Sequence, residues 1–391
     1  VSGVISESVL GAVLTVGGTG TLAFTGINTY TGGTVINGGV LRAITGGAAS
    51  ATGSGPITIN SGGTLGGTGR AMGVLTVNAG GALSETVTTG NVTVANNGIV
   101  SPGGATVGTI NTSNLILNDQ SALSFNLTSP GTNDLVIVGG NLTLDGVVNV
   151  TSMPPIGTGT YTIITYTGTL INNGLVAVVP GRSYSIDTTS PPGSVKLIVA
   201  DSATVTWTGG AFPDTNWTTA GNWSPAGAKA GDNLVFAGTV GLTPVNNFPA
   251  GTPFGFIQMN SGGFLITGNS IRLGGASPSG GLFNTSSVVG MNTVNLNILM
   301  TGATTISVAD PASTLNVGGN ISNNGFMLTL NPGDVGTLAM NGVISGIGGL
   351  IVTDPIGNGG GTVYLNGTNT YTGSNVGTTF SAGGLIGDYY K

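Results

Sequence analysis

The chain has 391 residues, of which 74 are glycine, 39% are hydrophobic and 5% are charged, with no cysteine or histidine and a net charge of −6. Average proteins carry roughly 7% glycine and roughly 25% charge, and a disordered chain is charged and poor in aliphatics, so this composition excludes ordinary disorder. Seven scattered basic residues exclude a phosphate-neutralising surface for nucleic acid, and the missing histidine and cysteine exclude Ser-His and Cys-His nucleophiles.

No apolar run approaches the ~20 residues of a membrane helix, so no membrane span is expected in this segment. The absence of cysteine fits export through an oxidising compartment. Val1 opens without a signal peptide, so the chain is expected to be processed or a piece of something longer. Val, Leu, Ile and Thr favour strands, while Gly and Asn favour the corners between them. The expected class is all-β, built of short strands and tight turns.

From the N-terminus, alternating segments each end in a small-residue corner and a leucine-like anchor. They are LTVGGTGTL ending at Leu22, TVINGGVL at Leu41, ITINSGGTL at Leu65, LTVNAGGAL at Leu83, VTVANNGIV at Val100 and LILNDQSAL at Leu123. The anchors stand 19, 24, 18, 17 and 23 residues apart. Asn-Gly and Gly-Gly also make two-residue hairpin turns, so a sandwich of hairpins is the competing architecture. The recurring spacing instead predicts a parallel β-helix (β-solenoid) with roughly 20-residue coils, whose alternate aliphatic residues stack inward from coil to coil. Corner glycines permit positive φ and close approach. Corner asparagines are expected to stack their amides in a ladder. The strand spacing predicts 15 to 20 coils over the chain.

Further along, MPPIG at 153–157 and SPPG at 190–193 break the strand pattern, and proline suits edges and turns rather than central ladders. The expected division is a β-solenoid over 1–150, a proline-interrupted β segment over 151–203 that closes the module, and a second module over 204–391. An antiparallel interruption is expected near 150–200. Trp207, Trp217 and Trp223 open the second module within 17 residues. They read as a hydrophobic plug capping that module, by virtue of their large buried area; a platform on which sugar rings stack is the alternative. Strand-and-corner phrases resume at IQMNSGGFL, VNLNIL, STLNVGGNI, LTLNPGDVGTL and GTVYLNG.

The two ends resemble each other. TGINTYTGGTVINGG at 25–39 returns as NGTNTYTGSNVG at 366–377, offset by 341 residues, and GVIS at 3–6 returns at 342–345, offset by 339. Asn28, Tyr30, Gly32 and Gly33 therefore mark one structural repeat, and Asn369, Tyr371 and Gly373 mark its counterpart. A solenoid without a polar cap leaves unpaired edges. The expectation is a segment of a longer tandem array, or a subunit that continues end to end, with an old duplication bearing capped ends as the alternative.

These phrases resemble the autotransporter-associated β-strand repeat of bacterial surface proteins. GINTYTGGT at 26–34 followed by VINGGVL looks like that repeat. The segments at 100–127 and 133–150, and the Trp-rich opening at 204–238, look like the sequences that accompany it in large secreted bacterial proteins. The likeness covers about two thirds of the chain and implies a β-helical stalk exported to the cell surface. The chain departs from a complete autotransporter in having no segment that resembles a C-terminal translocator barrel.

Parallel β-helices include polysaccharide lyases and hydrolases, whose chemistry needs clustered carboxylates. No two of the thirteen acids lie within five residues of each other, and Asp119 with Asp145 is the pair that neighbouring coils could stack. Aspartates in GTND, LNDQ and NPGD contexts read as turn residues bonding their own backbone. There is neither an EF-hand nor a run of glycine-rich calcium nonapeptides, which leaves a lone calcium site at Asp134 or Asp232 as the alternative. No catalytic, cofactor or metal residues are expected, and the chain is not expected to be an enzyme; a carbohydrate-active β-helix is the alternative. The expected function is an extracellular structural segment of a surface or filament-forming protein, secreted or at the cell surface. Its expected partners are copies of itself or adjacent modules, with an adhesin binding surface glycans as the alternative.

Overall fold

Strict alternation of aliphatic and small polar residues gives strands of only two to eight residues, too short to be stable except in a stack. In a computed structural model they form one. The structure describes the chain except for residues 48, 152–155, 180, 190–191, 275–279, 286–289, 310–312, 334–335, 354–360 and 374–391. Pro154, Pro155, Pro191, Asp310, Asp334, Asp354, Asp388 and the phrase after Gly373 thus lie outside the described residues. The described strands form a parallel β-solenoid of about 14 coils. That is slightly fewer than the strand spacing predicts, because several coils run to 25 residues or more.

One unit comprises residues 1–179 and 184–200, the other residues 180–183 and 201 onward. The first has three faces. On one, Leu14–Val16, Thr34–Ile36, Ile57–Ile59, Leu75–Val77, Val92–Val94, Leu115–Leu117, Leu142–Leu144 and Leu170–Asn172 stack in that order. On the next, all the predicted anchors meet. Leu22 pairs with Leu41, Leu41 with Leu65, Leu65 with Leu83, Leu83 with Val100 and Val100 with Leu123, and Val148 extends the column. From Leu41 to Val148 these residues are at most 1% exposed. Burying each such side chain stabilises the stack by roughly 1.5–3 kcal/mol.

The corners explain the rest of the pattern. Asn60–Gly63, Asn78–Gly81, Ala95–Gly98 and Asn118–Ser121 each close a four-residue turn, the N–H of the last residue donating to the carbonyl of the first at 2.9–3.0 Å. The third residue of each turn, Gly62, Gly80, Asn97 or Gln120, has positive φ, the conformation for which Gly and Asn are best suited. The amide ladder is present as expected: Asn60 Nδ2 donates to Asn37 Oδ1 and Asn78 Nδ2 to Asn60 Oδ1, both at 2.7 Å.

The third face carries Arg70–Ala71, Thr88–Thr89, Thr109–Thr112, Leu135–Val138 and Gly159–Tyr166, all parallel. Then Ser194–Asp201 pairs antiparallel with Gly159–Tyr166, which is the interruption the prolines predict. Two shorter antiparallel pairs fall outside that region, Leu127–Ser129 with Thr132–Asn133 and Thr204–Trp207 with Trp223–Ser224.

The second unit repeats the scheme. Thr204–Trp207, Asn233–Phe236, Phe256–Met259, Gly281–Asn284, Thr304–Val308, Leu328–Asn331 and Leu350–Val352 stack in parallel. Inside it, Trp207, Phe236 and Met259 form one column and Val205, Leu234, Ile257, Leu282 and Ile306 another. All are buried.

Candidate functional site

The repeated phrase builds an inter-coil clamp. Asn28 is 5% exposed. Its Oδ1 accepts the Ile5 N–H at 2.7 Å and its Nδ2 donates to the Ala51 carbonyl at 2.6 Å, so one side chain ties the coil before it to the coil after it. Two residues on, Tyr30 is 2% exposed and its hydroxyl lies 2.7 Å from Thr34 Oγ1, also buried. Burial pushes the Tyr30 phenol above its ordinary pKa, with the Thr34 hydrogen bond opposing. The glycines are set by contact. A Cβ on Gly32 would come 2.2 Å from the Gly11 carbonyl oxygen. Gly33 has φ of +102°, and a Cβ there would come 2.4 Å from the Pro56 carbonyl oxygen.

The later copy reproduces the half of the clamp that faces the preceding coil. Asn369 Oδ1 accepts the Ile344 N–H at 2.8 Å, and the Thr370 N–H donates to the Ile344 carbonyl at 2.9 Å, as Thr29 does to Ile5 at 3.0 Å. A Cβ on Gly373 would lie 2.2 Å from the backbone of Gly348. Asn369 and Tyr371 are half-buried, and Tyr371 packs against the second unit's core. Position 374 holds Ser where the first copy has Gly33, and lies outside the described residues.

The three tryptophans converge in the second unit. Trp207 and Trp223 meet edge-on at 5.1 Å, and Trp217 stands 6.2 Å from Trp223 and 5.5 Å from both Phe236 and Phe254. Trp207 Nε1 donates to the Gly241 carbonyl and Trp223 Nε1 to the Trp217 carbonyl. Trp207 and Trp217 are fully buried and Trp223 is 5% exposed, which leaves no ring face on which a pyranose could stack.

The acids serve the backbone. Glu7 accepts the N–H groups of Thr31 and Ala12 and the Thr31 hydroxyl, and the Thr31 hydroxyl above all holds its carboxyl below the ordinary value. Asp214 accepts the Asn216 N–H, the main cause of its lowered pKa, and the Thr219 hydroxyl. Asp232 accepts the N–H groups of Ala203 and Lys229, yet burial raises it. Asp134, read from its GTND context as a turn residue bonding its own backbone, is fully buried. It receives N–H groups from Gly108 and Asn126, and burial pushes it up to about 6. Its carboxylate oxygens therefore face N–H donors, which does not suit a cation ligand. No group of three or more potential metal-ligating side chains occurs among the described residues. Neither the depth of Asp134 nor the role of Glu7 is legible locally, because in each case one of the two N–H partners, Gly108 or Thr31, lies a coil away.

Short parallel rungs, anchor columns and laddered corners define a parallel β-helix. The passenger-associated-transport-repeat family matches residues 14–43 and 358–386, the two places where the tyrosine phrase stands. The chain is 29% identical over 351 residues, 80% of its length, to the protein named Adhesin BmaC autotransporter of Brucella suis biovar 1 (strain 1330). It spans about 10% of the length of that relative. The two repeat matches and this likeness support the resemblance to autotransporter passenger β-helix repeat proteins, which are surface-exposed or secreted.

Proposed function

We propose that this passenger segment is a mechanical stalk that continues end to end with adjacent modules or further copies of itself. The observation that carries the reading is the recurrence of one clamp, Ile5 with Asn28 and Ile344 with Asn369, at the same inter-coil position. A coil that can stack below Asn28 can stack below Asn369 in the same way, so one module supplies the template for the next. Load along such a stack is borne by parallel backbone hydrogen bonds and the aliphatic core within each unit, with each coil supported by its neighbours. The carboxylates of Glu7, Asp134, Asp214 and Asp232, occupied by N–H and hydroxyl donors, support a structural role over catalysis.

Adhesion is the second reading, and the name of the relative favours it; surface glycans would be the partners. Negative-stain electron microscopy of the protein taken from the cell surface without denaturation separates the two. Long uniform fibres with an axial repeat near one module support the stalk. Discrete short rods of one chain overturn end-to-end continuation and leave adhesion.

A further inference from the structure

The third face of the first unit carries a cavity of about 340 Å³ that the stalk does not use. Arg70, Thr88 and Asn111 stand side by side on three successive rungs, Thr88 pairing with both Arg70 and Asn111. Ser113 and the backbone of Gly139 and Gly140 also line the cavity. A Cβ on Gly140 would fall 2.4 Å from Asn114 Oδ1 and 2.9 Å from the Ser113 carbonyl oxygen, so a side chain at this point would crowd the wall.

Arg70 is the unusual member. Arg42 pairs with Glu85 and Arg182 with Asp201, but among the described residues Arg70 makes no ion pair and its Nε is buried without a hydrogen-bond partner. Buried guanidinium donors ordinarily have partners, and the guanidinium fork matches a carboxylate in bidentate fashion. The hydroxyls of Thr88 and Ser113 and the Asn111 amide are likewise not engaged by other described side chains or backbone. They are donors and acceptors at once, which suits ring hydroxyls. A peptide partner is disfavoured because the Thr88 rung is paired on both sides, and the Arg70 rung, which ends this sheet, has its N–H on Thr45 Oγ1 and its carbonyl on the Ala51 N–H, so neither offers a free edge for strand addition. The volume falls in the range of small-ligand sites, roughly 300–1,000 Å³.

We propose that this cavity binds a carboxylate-bearing sugar unit, with the carboxylate on Arg70 and the ring hydroxyls on Thr88, Asn111 and Ser113. The proposal does not rest on the stalk reading: fibres that bind no sugar would leave the stalk intact, and sugar-binding short rods would leave this site intact.

The test is titration of the 391-residue chain with glucuronic acid, N-acetylneuraminic acid, glucose and acetate, followed by saturation-transfer NMR. At least one sugar acid is expected to bind, with glucose and acetate each at least tenfold weaker. Arg70→Met is expected to weaken the sugar acid at least tenfold. Ser113→Leu, an exposed position that fills the cavity without touching the core, is expected to abolish binding while the circular dichroism spectrum is kept, and it serves if Arg70→Met does not fold. Absence of sugar-acid binding overturns the proposal. So does acetate binding as tightly as the sugar acids, which marks a plain anion contact, or binding unchanged in both variants.

Discussion

The N–H of Ile5 donates to Asn28 Oδ1 at 2.7 Å, and 339 residues later the N–H of Ile344 donates to Asn369 Oδ1 at 2.8 Å. In each copy an asparagine amide takes the place of a backbone carbonyl, joining coils at a corner where the ladder would otherwise lapse. Such substitution satisfies a donor that cannot find its own rung.

Asn28→Ala should therefore loosen a specific pair of coils. It leaves the Ile5 N–H and the Ala51 carbonyl without their partner, at roughly 1–3 kcal/mol for each buried group. In a solenoid the loss stays near the break, since each coil is supported by its neighbours. Hydrogen exchange followed by mass spectrometry should show protection lost over residues 1–10 and 49–53, with the second unit unchanged. Uniform loss across both units would mean that the clamp is not local.

Gly33→Ala should cost more than its single methyl suggests. The residue sits at φ of +102° and a Cβ would meet the Pro56 carbonyl oxygen at 2.4 Å, so strain and clash add to about 3 kcal/mol or more. Gly17→Ala is the control, with open space around it and no positive φ. It should fall within about 1 kcal/mol of the parent, on the stabilising side. Paired urea denaturation curves check the contrast, and equal midpoints for the two variants would refute it.

Much of this architecture can be read from particular residues. Leu22 to Leu123 recur with an aliphatic partner one coil on, and the structure pairs them in that register because slipping by one residue would turn every inward side chain outward. The corner asparagines and glycines are equally legible, since positive φ restricts the residue type. Arg42 with Glu85 is not legible. Its partners are 43 residues apart, two coils away, and corner length varies enough from coil to coil to hide that separation. The burial of Asp134 and the setting of Arg70 are hidden for the same reason, as is the true coil number.

Asp134 should make stability depend on pH between its unfolded and folded values. Its folded carboxyl is raised to about 6, against an unfolded value of about 3.9. Between those two the native state holds the extra proton, so stability should fall as pH rises from about 4 to about 6 and level off above. The amplitude is up to roughly 3 kcal/mol. Thermal melts at half-unit steps should show the advantage of the parent over Asp134→Asn shrinking across that window. A difference that is flat from pH 4 to 7 would show that this carboxyl titrates at its ordinary value.

Trp217→Ala tests whether the aromatic cluster supports the second module from within. The indole touches Trp223, Phe236 and Phe254 at once, and cutting a buried tryptophan to alanine costs about 3–5 kcal/mol through lost burial and the cavity left behind. Because Trp207, at the head of the parallel stack, packs edge-on against Trp223, the loss should reach the rungs nearest the cluster first. Protection of the amides over 204–207 and 233–236 should fall before that of 314–317. Iodide quenching gives an independent view, since three indoles no more than 5% exposed should be nearly untouched in the parent chain and partly opened by the variant. Quenching of the parent to the level of free tryptophan would put the rings at the surface and return them to the role of a sugar platform.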